Sequence, residues 1–249
     1  MAGAATPRRS PLALVAGALV ALSLVAGLCA LGVWQLHRLQ WKRELIAMVD
    51  SRIHAAPIPI PAPADWGKVS ESRDAYRKVR IEGHYLHGRE TLVQAVTTRG
   101  GGYWVLTPLR TDGGFTVLIN RGFVPPEKRA PAARAAGSPP GNTTITGLLR
   151  MTEPGGGFLR ANDPAANRWY SRDVAAIAGA RKLGPVAPFF IDADATPNPG
   201  GFPIGGLTVI SFRNTHLAYA ITWFILAAMT AVAALYSGRR ELQARKAED

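Results

Sequence analysis

Leu12-Ala-Leu-Val-Ala-Gly-Ala-Leu-Val-Ala-Leu-Ser-Leu-Val-Ala-Gly-Leu-Cys29-Ala-Leu-Gly-Val33 decides how the rest of this chain is read. It lies within 28 residues, between Arg9 and Arg38, that carry no Lys, Arg, Asp or Glu. As a helix rising about 1.5 Å per residue, it covers the roughly 30 Å of a bilayer's hydrocarbon core. A second charge-free block of 25 residues runs from Asn214 to Gly238, with Leu217–Tyr236 as its apolar centre. Backbone polar groups within lipid must be satisfied inside the segment, so both blocks are expected to be helices. A cleavable leader has an apolar stretch of only about 7–15 residues, shorter than this one. Leu28 before Cys29 also argues against lipidation, which needs a small residue there. The first block therefore reads as a retained anchor.

Of the 249 residues, 47% are hydrophobic and 18% charged, with a formal net charge of +12. No G-X-Y period, sustained heptad or long charge block is visible, which excludes collagen, coiled coil and outright disorder. A single cysteine excludes an internal disulfide framework and a cysteine-based zinc site. The charge divides into +2 at Arg8 and Arg9, +9 on the loop from Arg38 to Arg213, and +1 on the tail. Arg239, Arg240, Arg245 and Lys246 favour a cytoplasmic C-terminus, whereas Arg38, Lys42 and Arg43 point the other way. Long loops translocate largely regardless of charge, which places the 176-residue loop outside the cytoplasm. The basic residues are scattered, and an extracytoplasmic domain does not normally meet nucleic acid, so anionic lipid or an anionic ligand is the expected counterpart.

Helical pattern continues past the first span through Trp34–His54, as an interfacial extension. Pro57-Ile-Pro-Ile-Pro-Ala-Pro63 then reads as an extended polyproline spacer. Short strands separated by turn residues follow at Tyr76–Tyr85, Thr91–Thr98, Tyr103–Leu109, Phe115–Phe123, Thr143–Arg150, Phe189–Ala193 and Leu207–Phe212. Gly100–Gly102 and Asp112–Gly114 suit hairpin turns, and Pro125–Gly141 reads as an exposed loop. One helix is expected at Arg172–Ala180, with Ser171 as N-cap and Asp173 in its first turn. The fold class predicted is a membrane protein. Two transmembrane helices flank an extracytoplasmic, mainly β, α+β domain built on an antiparallel sheet or barrel. The layout runs as a cytoplasmic N-terminus at 1–11, a span at 12–36, the loop domain at 37–213 with its spacer at 57–63, a span at 214–237, and a cytoplasmic tail at 238–249.

Signatures of conventional enzymes are missing: there is no G-x-S-x-G, G-x-x-x-x-G-K, G-x-G-x-x-G or H-E-x-x-H. Asp192 and Asp194 form a close acidic pair, read as a strand-end turn. His84 and His87 sit around a strand end, where a surface role suffices. His37 and His216 each stand at the outer end of a span, where a histidine is either an interfacial polar group or a ligand to haem iron. Tyr219 and Trp223 follow His216 by 3 and 7, so the three share a helix face that could flank a flat macrocycle or belong to an aromatic belt. Asn120-Arg121-Gly122, at a strand end, offers Arg121 either to a carboxylate such as a propionate or to a structural ion pair.

Several stretches occur together and in order. They are Gly32-Val-Trp34-Gln35-Leu-His-Arg38-Leu-Gln-Trp41-Lys42, Tyr76-Arg-Lys-Val-Arg-Ile-Glu-Gly83, and Val117-Leu-Ile-Asn120-Arg121-Gly122-Phe123-Val124-Pro125. Asn162-Asp-Pro164-Ala-Ala-Asn167-Arg-Trp169-Tyr170-Ser-Arg172-Asp173 follows. Pro199-Gly-Gly-Phe-Pro203-Ile-Gly-Gly206 then leads to Arg213-Asn214-Thr-His216-Leu-Ala-Tyr219-Ala-Ile-Thr222-Trp223. In these motifs the chain resembles the surfeit-locus family of cytochrome c oxidase assembly factors, over nearly its whole length. The resemblance implies an assembly factor rather than an enzyme, in a bacterial-type inner membrane. Its task would be delivery of haem a to the oxidase catalytic subunit, possible partners being that subunit, a haem a synthase and the bilayer. It also implies His216 as the haem-iron ligand, with Tyr219, Trp223 and Arg121 as cofactor-binding companions, and gives His37 little weight. A structural chaperone that stabilises oxidase intermediates without touching haem is the rival reading.

Overall fold

In the computed structural model, residues 10–157, 159–208, 210, 212 and 214–246 are described. The expectations for Arg213, the first nine residues and the last three lie outside them. Two units divide the chain, one formed by residues 1–47 with 211–249 and the other by residues 48–210.

Helix α1 spans Pro11–His54 without interruption, so the first apolar block and its predicted extension are one rod. Ser10 starts it, its Oγ accepting from the Ala13 N–H at 3.2 Å, with proline in the first turn, where no amide is needed. Helix α4 spans His216–Lys246. Each is long and apolar enough to cross a membrane. Between Ala21 and Leu39 of α1 the better-covered residues include Ala21, Val25, Leu28, Gly32, Gln35 and Leu39, in alternating steps of four and three. On α4 His216, Ala220, Trp223 and Ala227 repeat that spacing. This is the seam of two helices meeting side chain to side chain. Gly32 sits on it, and the Phe224 ring occupies the space a side chain would need, its atoms 2.7 Å from the place of a Cβ. The heptad spacing is invisible in the sequence because the residues off the seam are apolar too.

The second unit is a barrel. Its strands are β1 (Ile58–Pro59), β2 (Lys78–Tyr85), β3 (Thr91–Thr97), β4 (Gly100–Arg110), β5 (Thr116–Val124), β6 (Asn142–Met151) and β7 (Val186–Ala193). Five of them close a ring in the order β2-β6-β7-β5-β4-β2. The β5–β7 seam is parallel and the others in the ring are antiparallel. Closure rests on the short pairing His84↔Arg110 and Tyr85↔Leu109. It needs Gly83, since a Cβ there would stand 2.2 Å from the Arg110 carbonyl oxygen. Val79, Ile81, Leu109, Val117, Ile119, Leu149, Phe189 and Ile191 come from all five ring strands and form one buried cluster. In a closed ring such residues meet only in the interior. A single helical turn, α2 (Glu71–Asp74), precedes β2, and a second cluster, with Leu106, Leu118, Trp169, Ile177 and Phe190, covers the outer wall under helix α3 (Val174–Ala180).

Several expectations are corrected. The Pro57–Pro63 stretch is not a free spacer but part of the barrel unit. Ile58 and Pro59 pair in parallel with Val79 and Arg80, and Ile58 and Ile60 pack on the barrel core. Alternating proline and isoleucine gives one apolar face, and a sheet edge tolerates the missing amides. The Pro125–Gly141 loop is not simply exposed, since it forms short 3-10 turns and buries Arg134 and Gly137. Gly100–Gly102 open β4 instead of forming the β3–β4 turn, which falls at Thr98 and Arg99. The described residues of Leu207–Phe212 form no strand, while 209 and 211 lie outside them. The N-cap of α3 is Asp173, whose carboxylate accepts from the Ala176 N–H at 3.0 Å. Ser171 is occupied instead, its hydroxyl oxygen accepting from the Gly156 N–H and the Asn162 amide at 3.0 Å.

Gly83→Val tests the closure. The purified full chain should lose about 1–3 kcal/mol of stability in a thermal melt, the usual cost of forcing a side chain into filled space. An unchanged melt would mean that the barrel does not need the close approach at Gly83.

Candidate functional site

Three polar constellations stand out. The first lies on the helix seam. His216 begins α4, and its Nδ1 is 2.8 Å from Oε1 of Gln35 on α1. An amide oxygen only accepts, so Nδ1 is the donor in this contact, and in the neutral ring Nε2 is the nitrogen that bears the lone pair. No described residue hydrogen-bonds Nε2. Trp223 follows two turns along the same line, half-buried, whereas Tyr219 is set to one side and 55% exposed. His37 is exposed, two residues and therefore about 200° around α1 from Gln35. The structure brings Gln35 to His216 and leaves His37 out. Sequence reasoning passed over Gln35, although it stands in the first quoted motif.

The second constellation is in the barrel wall. Asp192, expected in a turn, is part of β7 and 2% exposed. Its carboxylate accepts from Asn120 Nδ2 at 2.8 Å, Arg150 Nη1 at 3.0 Å, Arg172 Nη1 at 3.0 Å and Thr208 Oγ1 at 3.0 Å. Arg172 also grips Glu153, with Nε at 3.0 Å and Nη2 at 2.5 Å from its oxygens. Burial alone would depress the Arg172 pKa, but Asp192 and Glu153 outweigh it and hold it above its ordinary value. A carboxylate so fully engaged is a staple rather than a proton carrier. The sequence signal was an acid following Phe189-Phe-Ile, since a charge on a buried strand requires partners. Asp194 alone takes the turn position, its Oδ1 accepting from the Thr196 N–H at 3.0 Å.

The third closes one end of the barrel. Arg121 lies within β5, not at its end, and is 1% exposed. It shares the inward parity of Val117 and Ile119. Its guanidinium stacks on the Tyr85 ring at 4.7 Å and donates through Nη2 to the Gly137 carbonyl and to Asn198 Oδ1. Burial pushes the Tyr85 hydroxyl up to about 12, against the pull of Arg121, and burial pulls Arg121 below its usual range. His87, expected on the surface, is half-buried with its ring 5.4 Å from that of Tyr85, while His84 is exposed. Arg134 pairs with Glu90, Nη1 to Oε2 at 3.0 Å, and also donates from Nε to the Lys128 carbonyl at 3.1 Å. That buried ion pair pins the loop expected to be free.

Asp192→Ala is expected to cost about 1.5–3 kcal/mol in a denaturant titration, since it takes the shared buried carboxylate from two half-buried arginines. A loss below about 1 kcal/mol would remove the staple. Tyr85 should stay protonated in the native chain between pH about 10 and about 12, where unfolded phenols already ionise. Stability present below pH about 10 is therefore lost across that window, and Tyr85→Phe should flatten this part of the pH dependence.

A closed five-stranded barrel, set in sequence between two long apolar helices that share a histidine–glutamine contact, defines a helix-flanked β-barrel protein. The family model described as the SURF1 family matches residues 22–228, from the first apolar helix into α4. The chain is 40% identical over 217 residues to mouse Surfeit locus protein 1, covering 80% of this chain and 68% of that protein. It is 38% identical over 218 residues to the human Surfeit locus protein 1, covering 80% and 70%. A SURF1-like protein of Monosiga brevicollis is 40% identical over 215 residues, covering 80% and 79%. The chain belongs to the SURF1 family.

Proposed function

We propose that this protein is an assembly factor for haem-copper cytochrome c oxidase and that its helix pair holds haem a on the way to the oxidase catalytic subunit. In this reading both helices span the inner membrane, the barrel lies on the extracytoplasmic side, and a haem a synthase is the source of the cargo. His216 gives the iron its axial ligand through Nε2, while Trp223 and Tyr219 offer aromatic surface to the macrocycle.

One observation carries the reading, the 2.8 Å contact between His216 Nδ1 and Gln35 Oε1. It orients the ring and leaves Nε2 as the nitrogen open to a metal, as the outer-shell partner of a metal-bound histidine does. Among the described residues no cluster of three or more His, Cys, Asp or Glu side chains is disposed to hold a bare metal ion. A single histidine suits a metal whose other ligands arrive with it, as the four porphyrin nitrogens do. Arg121 is not assigned to this site, because it is 1% exposed within the barrel, stacked on Tyr85 and held through Nη2 by the Gly137 carbonyl and Asn198.

Protein purified in full length from cells that make haem a should carry the absorption bands of that haem. His216→Ala should lose them, and Gln35→Ala should weaken haem retention by about 10–100-fold, the usual effect of removing an outer-shell partner. Bands that persist in the His216 variant would overturn the ligand assignment. Haem-free protein that still co-purifies with the catalytic subunit would leave the structural chaperone in its place.

A further inference from the structure

The β3–β4 hairpin leaves part of one backbone edge open. The Gln94 N–H points away from β4 and donates to the Trp169 carbonyl at 2.8 Å, beside the parallel bridge between Val93 and Trp169. Backbone groups alternate along a strand, so the N–H and C=O of Val96 face the same outward side. No described residue takes them. The Val96 side chain is 90% exposed, and no proline, lysine or acidic residue guards the edge from Ala95 to Thr98. Beside the edge lies a groove of about 490 Å³ lined by residues including Gln94, Tyr103, Arg160 and Tyr170, with no carboxylate among them. Arg160 lies over the Tyr170 ring at 5.6 Å and Arg129 over the Tyr103 ring at 5.1 Å. Leu159, at the tip of the turn closed by Gly157 and Arg160, is 89% exposed.

We propose that the outer edge of β3 at Ala95–Thr97 docks an extended, acidic segment of a partner protein, which adds to the sheet as a further strand and continues the line begun by Trp169. Each component of the surface selects for such an occupant. The open N–H and C=O of Val96 call for another backbone. The tyrosine walls accept an apolar side chain, and Arg99, Arg129 and Arg160 call for carboxylates. A lipid surface satisfies the arginines and Leu159 but gives an edge amide no partner within hydrocarbon. A second copy of this surface would bring further arginines, and no carboxylate, to Arg99, Arg129 and Arg160. The proposal stands apart from the haem reading and uses none of its residues.

The full chain in detergent micelles would be titrated with a labelled peptide of sequence Glu-Val-Glu-Val-Glu and with its Lys-Val-Lys-Val-Lys counterpart, following fluorescence anisotropy. The acidic peptide should bind about tenfold or more tightly than the basic one, and Arg160→Glu should weaken it by about tenfold. Hydrogen exchange at the Val96 amide should slow on addition of the acidic peptide, and Val96→Pro should abolish binding. Should the proline variant fail to fold, Arg160→Glu and the native Val96 exchange rate still decide. Equal affinity for the two peptides, an unaffected Val96 amide, or protection of that amide by phosphatidylglycerol vesicles and not by the peptide would each overturn the proposal.

Discussion

Asp192 carries a charge inside the barrel wall, and the fold of that unit is organised around satisfying it. An ionised carboxylate removed from water costs several kcal/mol unless donors surround it. The four donors come from β5 (Asn120), β6 (Arg150), the residues before α3 (Arg172) and the segment after β7 (Thr208). Two of these strands flank β7, while Arg172 and Thr208 must be brought in from elsewhere along the chain. The requirement works as a register pin. A one-residue slip of β7 would turn Asp192 to the opposite face and bring Ile191 or Ala193 to the donors. Apolar packing alone gives the barrel less discrimination, because Phe189, Phe190 and Ile191 are buried on alternating sides and either set fits an apolar environment.

The same logic explains what the sequence shows and what it hides. Six of the seven strands expected match observed strands within a few residues, because local alternation and turn residues act at short range. The missed features are long-range. Pro57–Pro63 reads as a spacer until β2 supplies the partner for Ile58 and Pro59. Pro125–Gly141 has no apolar period, and its anchor is one arginine whose carboxylate partner, Glu90, lies 44 residues earlier. The α3 cap shifts from Ser171 to Asp173 because the serine hydroxyl is committed to Gly156 and Asn162. None of these choices can be made from neighbouring residues alone.

The helices present the opposite difficulty. In a water-soluble helix the covered stripe is legible because the rest is polar. Here Leu22, Leu24 and Leu31 are as apolar as Val25 and Leu28, so hydropathy cannot separate the seam from its surroundings. What marks the seam is its polar pair, Gln35 with His216, beside the close approach at Gly32. His216 and Trp223 were therefore legible as a pair seven residues apart, whereas Gln35 became meaningful only once α1 and α4 were seen to meet.

That pair also bears on how tightly a cargo is held. A histidine whose Nδ1–H donates to a carboxylate gains imidazolate character and becomes a stronger metal ligand. Gln35 is neutral, so its amide oxygen orients the ring with little added electron donation. Within the proposed reading, this gives His216 a ligand nitrogen that is aimed by a neutral partner, as a bond that must later break requires. The barrel, by contrast, commits its carboxylates to buried or half-buried arginines, Asp192 to Arg150 and Arg172 and Glu90 to Arg134. Strong charge-assisted pairing is thus placed in a unit that has to stay folded, and in the proposed reading a neutral hydrogen bond serves a helix pair that has to release its cargo.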